Sequence, residues 1–219
     1  MAQEFFNFDI LHNNDTREYI LSKSNSEAYS VINKWPNWPL NLLLLYGPKS
    51  CGKTHLAKIW QEKAKANFLN AEQIYKNQYD LKKNYIIDNI ETIHDETALL
   101  HLFNLVKEQA SGYLLMTASN NPNNIGIRLP DLRSRLNLVA EARIGDPDDD
   151  ILRQMFVKQF TLRQIKVDIE VINYLISRIE RSFESLYNIV DKLDKQALED
   201  RKSINIPLAK KVLEKLNVN

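Results

Sequence analysis

The sequence predicts an α/β protein in which helices sandwich a parallel sheet, followed by a small all-helical unit. The apolar run Leu42–Tyr46 is closed by Gly47-Pro48, which is typical of a strand buried on both faces of a parallel sheet. Further apolar runs alternate with helical stretches up to residue 144, and this alternation indicates parallel strands with helical crossovers. Beyond residue 146 only helical periodicity is present.

Length and composition describe an ordinary globular protein. With 219 residues, 44% of them hydrophobic, the chain can bury a core in one domain with a satellite or in two small domains. The net charge of +1 gives no global sign of a nucleic-acid or membrane-surface binder. The single cysteine, Cys51, excludes an internal disulfide. No secretory signal or membrane-spanning run is present, so we expect a cytoplasmic protein.

The α/β part divides into short strands and amphipathic helices. Caps at residues 24–26 predict a first helix, and the prolines of residues 35–39 predict an extended connector. After Leu42–Tyr46, a helix is predicted over 53–66 and another over Glu96–Gln109, whose apolar residues share one face. The other predicted strands are 67–69, 85–88, 113–117 and 138–144.

Four helices are predicted after residues 145–147, where the alternation of strands and helices gives way to helical periodicity alone. The first covers 148–161, Asp168 and Ser182 are predicted to cap the next two, and Pro207 suits the first turn of the fourth. We therefore divide the chain into a tail at 1–20, an α/β unit at 21–146 and a helical unit at 147–219.

A phosphate-binding loop is predicted between the first strand and the following helix. The pattern G-x-x-x-x-G-K-[ST] is met by Gly47-Pro48-Lys49-Ser50-Cys51-Gly52-Lys53-Thr54. The glycines allow backbone amides to converge on a polyphosphate, Lys53 reaches the β and γ phosphates, and the Thr54 hydroxyl suits Mg²⁺. A chance match is the alternative, but the strand-to-helix setting is what the motif requires.

An acidic strand end supplies a second part of the predicted site. Asp88 follows the apolar residues 85–87 and is placed to hold the Mg²⁺ shell, as a Walker-B aspartate does; an ordinary turn is the alternative. The next residue is Asn89, and an amide cannot act as a general base. Glu91 lies two residues on, where strand and turn geometry leave its role open. We therefore predict tight nucleotide binding and weak intrinsic ATP hydrolysis at most.

Four segments resemble the bacterial DnaA-related AAA+ proteins, and within them the Hda (HdaA) family of regulatory inactivators of the initiator DnaA. The segments are 42–57, 85–91, 129–136 and 178–181, and the resemblance extends over about residues 8–216. The strings Asp-Asn-Ile-Glu at 88–91 and Leu-Pro-Asp-Leu-Arg-Ser-Arg-Leu at 129–136 are its most specific parts. The resemblance implies an AAA+ P-loop fold with a helical lid.

The resemblance also implies several site residues. Asn25 would lie beside the adenine or, alternatively, cap the first helix, and Ser119 stands at the sensor-1 position, where the family often has aspartate. Arg135 matches an arginine finger offered to the nucleotide of a neighbouring subunit. Arg181 matches sensor 2, although an arginine on a helix is ordinarily a solvated surface residue. The expected nucleotide contacts are Asn25, residues 47–54, His55, Asp88, Ser119 and Arg181, with Thr54 and Asp88 as Mg²⁺ ligands.

The N-terminal tail resembles the short sliding-clamp peptide of Hda proteins. In the segment Gln3-Glu4-Phe5-Phe6-Asn7-Phe8, Gln3, Phe6 and Phe8 fit that peptide, whereas Glu4 and Asn7 depart from it. The expected partner of the tail is the DNA polymerase III sliding clamp (β subunit). The alternative is that the phenylalanines pack on the chain's own first helix.

Two functions are compatible with these features. The first is a regulatory adaptor that binds ATP or ADP, docks on the clamp and presents Arg135 to the ATP of DnaA. The second is a self-acting AAA+ loader that hydrolyses its own ATP, against which Asn89 argues. The resemblance, with its finger offered in trans, implies a homo-oligomer for either function, a dimer or a higher state. No segment resembles the helix-turn-helix domain with which DnaA reads DNA, so we expect no sequence-specific DNA binding and, with no spanning run, no membrane binding.

Overall fold

The computed structural model describes residues 19–109 and 111–217. Within them, five parallel strands form one sheet in the order β2-β3-β4-β1-β5. The strands are β1 (Leu42–Tyr46), β2 (Asn67–Phe68), β3 (Tyr85–Ile87), β4 (Leu114–Ala118) and β5 (Ala140–Arg143). The predicted parallel α/β class with a helical unit is confirmed.

Helices cover the sheet and then continue without strands to the end of the described chain. The α/β part contains α1 (Ser26–Asn33), α2 (Lys53–Ala64), α3 (Ala71–Tyr75), a short 3₁₀ helix (Ile90–Thr92), α4 (Glu96–Gln109) and α5 (Pro130–Leu136). The helical unit contains α6 (Asp149–Leu162), α7 (Ile169–Ile176), α8 (Phe183–Asp200) and α9 (Ile206–Asn217). None of the helices in this described part combines the length and apolar character needed to cross a membrane.

The apolar run of β1 is explained by burial on both faces of the sheet. Leu42 and Leu44 belong to the core on one face, whereas Leu43 and Leu45 belong to the core on the other. Helix α4 covers the first face and α2 covers the second. Successive side chains of a strand point to opposite faces, so a strand covered on both sides must be apolar throughout.

Parallel pairing brings three strand ends to one edge of the sheet. Strand β1 lies between β4 and β5, with Leu45 opposite Thr117 and Tyr46 opposite Ala118, and β4 pairs with β3. The loops that follow β1, β3 and β4 therefore leave the sheet on the same side, which is where open α/β sheets bind ligands. The phosphate loop, Asp88 and Ser119 all lie in these loops.

The helical unit has its own core and also packs on the sheet unit. Apolar residues of α6 to α9 form one cluster, driven by the burial of the apolar stripe that each helix carries. Ile151 of α6 and Phe183 of α8 instead join the core that includes Leu43 and Leu45 of β1. The start of α8 is thereby fixed to the sheet beside the phosphate loop.

Several boundaries and two short helices differ from the sequence prediction. The helix predicted over 53–66 ends at Ala64, because Lys65 adopts the left-handed conformation and the Ala66 amide bonds to Gln61. Helices α3 and α5 were not predicted, although a capping box of Asn70 with Gln73 marks the start of α3. Five- and seven-residue helices are too short to show apolar periodicity.

The helix caps of the helical unit agree with the sequence in part. Ser182 caps α8, since its side chain accepts a hydrogen bond from the Ser185 amide. Asp168 stands at the N-cap position of α7 but makes no capping hydrogen bond with its side chain. Pro207 lies in the first turn of α9, where its missing N–H has no cost.

Candidate nucleotide site

Two glycines shape the loop between β1 and α2. A Cβ atom on Gly47 would lie 2.5 Å from the carbonyl oxygen of Ile144, so a larger residue cannot stand there without moving the backbone. Gly52 has φ of 95° and precedes the first residue of α2, a left-handed conformation that glycine adopts without steric cost. The loop therefore delivers the chain directly into the amino end of α2, which favours anions.

Lys53 places its ammonium group inside this loop. Its side chain is buried, and Nζ donates hydrogen bonds to the carbonyl oxygens of Gly47 at 2.8 Å and Pro48 at 2.9 Å. Both acceptors are neutral, so neither of them compensates the charge of the ammonium. A buried cation held by carbonyls at a helix amino end attracts an anion, which supports the predicted phosphate contact.

A hydrogen-bond network joins α2, β3 and β4 next to Lys53. The Thr54 hydroxyl donates to Asp88 Oδ2 at 2.8 Å, and the Thr117 hydroxyl donates to Asp88 Oδ1 at 2.6 Å. The Thr117 oxygen also accepts the backbone N–H of Asn89 at 2.8 Å. Thr117, which is fully buried, thus orients the carboxylate that the sequence predicts to serve the metal.

We expect Thr117→Val to loosen this network and destabilise the fold. The substitution keeps the shape but removes the partner of Asp88 Oδ1 and of the Asn89 amide, while Thr54 still donates to Asp88 Oδ2. A fully buried group that loses its partner costs about 1–3 kcal/mol, and because Asp88 is only half-buried and Asn89 is exposed, we expect a loss near the lower end of that range. Urea unfolding followed by circular dichroism measures it. An unfolding free energy equal to that of the unmodified chain would contradict the structural role given to Thr117.

Thr54 and Asp88 fit an Mg²⁺ site in chemistry and position. A hydroxyl and a carboxylate are hard oxygen ligands, and they face each other at 2.8 Å beside the phosphate loop. Among residues 19–109 and 111–217 no group of three or more His, Cys, Asp and Glu is placed to hold a metal ion. An ion at Thr54 and Asp88 would thus need phosphate oxygens and water as further ligands, which is how Mg²⁺ is commonly bound.

The residues after Asp88 take an unusual path. Asn89 has a positive φ of 57°, and the short 3₁₀ helix that follows carries Glu91 across to the end of β4. There Glu91 Oε1 accepts the backbone N–H of Ser119 at 2.7 Å, while its Oε2 is buried without a hydrogen bond. The structure therefore brings Glu91 to Ser119, the predicted sensor-1 residue, a contact that strand alternation alone did not resolve.

The buried Asn25 side chain shapes the segment before α1. Its Oδ1 accepts from the Ser22 amide and its Nδ2 donates to the Ile20 carbonyl, both at 2.8 Å. It stands at the N-cap position of α1, but its side chain makes no capping hydrogen bond to that helix. The carbonyl of the neighbouring Ser24 accepts the Gly145 amide at 2.7 Å. This segment thus ties the first helix to the turn that precedes the helical unit; its contact with adenine stays a prediction.

Tyr19 is a residue of this site that the sequence analysis missed. A Cβ atom built on Gly52 would lie 3.4 Å from the Tyr19 ring. The ring also stacks on Tyr29 at 5.7 Å and meets His55 edge-on at 5.4 Å between ring centroids. Burial raises the pKa of the Tyr19 hydroxyl. No local pattern marks Tyr19, because its contacts come from residues far along the chain.

Cys51 is a buried residue of the loop. Its thiol lies against the position where a Cβ of Gly47 would be, at 3.0 Å. Burial raises the pKa of this thiol, so the group is neutral near pH 7 and packs as a small apolar side chain. Within the loop, Cys51 therefore contributes packing, and the charges come from Lys49 and Lys53.

One ion pair connects the phosphate loop with the helical unit, and a second joins two predicted or neighbouring site residues within that unit. Lys49 Nζ lies 2.6 Å from Glu184 Oε1, in the first turn of α8. Arg181, the predicted sensor-2 residue, lies just before α8, and its Nη2 is 3.1 Å from Asp149 Oδ1, in the first turn of α6. The proximity of Glu184 to the phosphate loop shows that the start of α8 lies over this part of the site.

The arginines of α5 have different surroundings. Arg135 forms an ion pair with Asp131 one turn earlier, with Nε 3.0 Å from Oδ1, and its side chain is 35% exposed. The Arg133 guanidinium instead donates to the carbonyl oxygen of Ile127 and fastens the preceding loop. Arg133 is thus a structural residue, whereas the pairing of Arg135 leaves the predicted finger role open. The predicted clamp-binding residues Gln3, Phe6 and Phe8 lie outside the described residues.

Comparison with known proteins relates the helical unit and the whole fold to replication proteins. The family model of the Hda lid domain matches residues 148–213. Domain III of the replication initiation protein DnaA from Thermotoga maritima has a TM-score of 0.72 at 19% identity, over 90% of this chain and 94% of that one. AMPPCP-bound DnaA from Aquifex aeolicus has a TM-score of 0.64 at 16% identity, over 83% of this chain and 65% of that one.

Two further similar proteins are a DNA motor and a protein whose function is not described. The RuvB Holliday junction branch migration motor of Thermotoga maritima has a TM-score of 0.63 at 17% identity, over 81% of this chain and 62% of that one. An uncharacterized protein of Haemophilus influenzae is 28% identical over an alignment of 184 residues that covers 77% of this chain and 80% of that protein. The helical unit therefore matches the Hda lid domain over residues 148–213, and the fold of the chain is similar to that of domain III of DnaA.

Proposed function

We propose that this chain is a nucleotide-binding regulator of replication initiation that stimulates ATP hydrolysis by DnaA. It binds ADP or ATP with Mg²⁺ at its own phosphate loop, docks on the sliding clamp through residues 3–8, and offers Arg135 to the ATP held by DnaA. The observation that carries the proposal is the combination of a helical unit that matches the Hda lid with a loop that holds Lys53 beside Thr54 and Asp88, where Asn89 follows the predicted metal ligand.

Nucleotide binding is supported by the residues at the carboxyl edge of the sheet. Lys53 holds a positive charge inside the loop, and Thr54 with Asp88 presents two oxygen ligands for Mg²⁺. Mg²⁺, when bound, neutralises charge on the β and γ phosphates. The DnaA relative from Aquifex aeolicus holds the nucleotide analogue AMPPCP, and we propose that the present chain binds its nucleotide on the corresponding face.

Weak hydrolysis at the chain's own site is supported by the residue after Asp88. An AAA+ ATPase with rapid turnover carries a carboxylate there to orient water, whereas Asn89 has a neutral amide that cannot accept a proton as a general base. We propose that the bound nucleotide acts mainly as a conformational ligand. Hydrolysis then takes place chiefly on the partner, and this chain is its activator.

Arg135 is proposed to act on the ATP of DnaA. Its partner, Asp131, is half-exposed, so the ion pair is weak and open to exchange. A guanidinium delivered in trans to a phosphoryl-transfer site stabilises the charge of the transition state and is worth roughly 10³–10⁵ in rate. The product of the partner's reaction would be DnaA bound to ADP, which limits re-initiation.

A second candidate, a self-acting AAA+ loader, is favoured by one observation. Glu91 reaches the end of β4, where its carboxylate binds the Ser119 amide and keeps a second buried oxygen without a hydrogen bond. A carboxylate at the sensor-1 position is a chemical candidate for orienting water in the chain's own site. In that case Arg135 would serve the next copy of the same chain in an oligomer.

A co-incubation assay separates the two functions. Purified full-length chain is mixed with Mg²⁺-ATP alone, and separately with DnaA and DNA-loaded clamp. The regulator proposal expects slow phosphate release from the chain alone and strong, clamp-dependent stimulation of DnaA. Fast turnover without DnaA, abolished by Glu91→Gln, would support the loader instead.

The tail gives a separate prediction for clamp binding. We expect Gln3→Ala with Phe6→Ala to abolish co-elution with the clamp, because two of the three residues that fit the clamp peptide are removed and Phe8 alone cannot hold an extended peptide in its groove. Gel filtration of the mixture measures binding, and a thermal melt checks the fold. An unchanged melting temperature fits a docking peptide, whereas a melt at much lower temperature fits phenylalanines packed on the chain's own core. Co-elution of the double variant would contradict the clamp assignment.

A further inference from the structure

The amino end of α8 is anchored directly over the phosphate loop. Phe183, the first residue of α8, is 2% exposed and belongs to the same core as Leu45 and Cys51. The next residue, Glu184, extends its carboxylate to the ammonium of Lys49 at 2.6 Å. Because Phe183 anchors the backbone, Glu184 is held where it meets a cation of the phosphate loop.

Arg181 forms the second ion pair, with the carboxylate of Asp149. Its Nη2 lies 3.1 Å from Oδ1 and 3.2 Å from Oδ2 of Asp149. Asp149 lies in the first turn of α6, shortly after the turn that joins the sheet to the helical unit. Two cationic residues among the predicted nucleotide contacts, Lys49 and Arg181, are therefore each paired with a carboxylate of the helical unit.

We infer that the phosphates of a bound nucleotide replace these carboxylates as partners of Lys49 and Arg181. Asp149 and Glu184 thereby lower the nucleotide affinity of the site and determine its value. The inference rests on the proposed nucleotide site. When ADP enters, its phosphates take the place of Glu184 at Lys49 and of Asp149 at Arg181. The released carboxylates then lie close to the phosphates as like charges. Each of them thus opposes binding twice, first as a competitor and then by repulsion.

The exposure of the two pairs makes this exchange feasible. The side chains of Arg181 and Asp149 are 70% and 46% exposed, and those of Lys49 and Glu184 are 75% and 58% exposed. Solvent screens such pairs, so each is weak, whereas the charge-assisted bonds that phosphate makes to a guanidinium are stronger. Removing one carboxylate charge should therefore tighten ADP binding by about two- to fivefold.

The test uses two charge-neutralising variants of the full chain, Asp149→Asn and Glu184→Gln, titrated with ADP and Mg²⁺ by calorimetry. Both should bind ADP more tightly than the unmodified chain, and the gain should shrink as salt concentration rises. Asp150→Asn is the matched control, because Asp150 is the adjacent residue and pairs with Arg153 at 3.0 Å. It removes the same charge from the same helix turn and should leave the affinity nearly unchanged.

A double variant makes the test specific to the pairing. In an Arg181→Ala background, Asp149→Asn should give a smaller gain, because no guanidinium remains for Asp149 to compete for and only its repulsion of the phosphates is removed. Unchanged or weaker ADP binding in both single variants would overturn the inference, since the carboxylates would then position the cations or have no role. If the unmodified chain bound neither ADP nor ATP, the proposed nucleotide site itself would fail. Circular dichroism of each variant confirms that it is folded.

Discussion

Replacing Lys53 with alanine is expected to lower the affinity for ADP by about two orders of magnitude, because charge-assisted hydrogen bonds to the phosphates are lost. The ammonium group lies inside the loop and is held by the carbonyls of Gly47 and Pro48. Equilibrium dialysis with labelled ADP measures the change. A modest loss of stability, about 1 kcal/mol, is also expected because the two carbonyls lose a donor.

Lys58 provides the matched control for this prediction. It lies on the same helix, α2, five residues later, and its side chain is exposed. Lys58→Ala removes the same charge from the same element and should leave ADP binding almost unchanged. Equal losses of ADP affinity in the two variants would mean that Lys53 acts only through the overall positive charge of α2, without a specific contact to the phosphates. Unchanged affinity in Lys53→Ala would mean that the nucleotide binds elsewhere.

Replacing Arg135 with alanine is expected to reduce the stimulation of DnaA by about a thousandfold or more, because the transition state on DnaA loses a guanidinium. Nucleotide affinity, fold and clamp binding of the variant should stay as they are. The ion pair with Asp131 is an exposed pair within one helix, so its loss costs little stability. The measurement is the maximal rate of DnaA hydrolysis at saturating amounts of the variant.

The structure determines which arginine serves as the control. The neighbouring Arg133 is unsuitable, because its guanidinium binds the Ile127 carbonyl and its removal would disturb the loop before α5. Arg128 lies in the same region, is exposed, and uses its backbone N–H to bind Glu96. Arg128→Ala should change stimulation only slightly, as a screened surface charge would. Similar losses of DnaA stimulation in Arg128→Ala and Arg135→Ala would mean that Arg135 acts only as one charge of a basic surface, without a specific role in the transition state.

The parts of the fold that the sequence predicts well have strong local signals. The apolar run of β1 is closed by a glycine that the Ile144 carbonyl makes obligatory, and Ser182 caps a long amphipathic helix. Burial on both faces, turn chemistry and capping each leave a pattern within a few residues. The short helices α3 and α5 leave no periodic pattern and were missed for that reason.

The parts of the site that the sequence does not predict depend on residues brought together by the fold. Tyr19 meets Gly52 and His55 across more than thirty positions. Glu91 reaches Ser119 only because Asn89 adopts a left-handed conformation, which few non-glycine residues do. The pairing of Lys49 with Glu184 likewise joins residues far apart in sequence. Motifs identify the chemical groups of a site, whereas tertiary packing decides which of them neutralise one another.

The most direct test of the proposed function follows labelled ATP that is bound to DnaA before mixing. DnaA carrying this ATP is combined with DNA-loaded clamp and a substoichiometric amount of the full-length chain, and the nucleotide retained on DnaA is analysed over time. The account predicts rapid conversion to ADP that requires the clamp and Arg135, with each copy acting on several DnaA molecules. Conversion at the rate of DnaA alone, in the presence of folded, nucleotide-bound chain and loaded clamp, would contradict it.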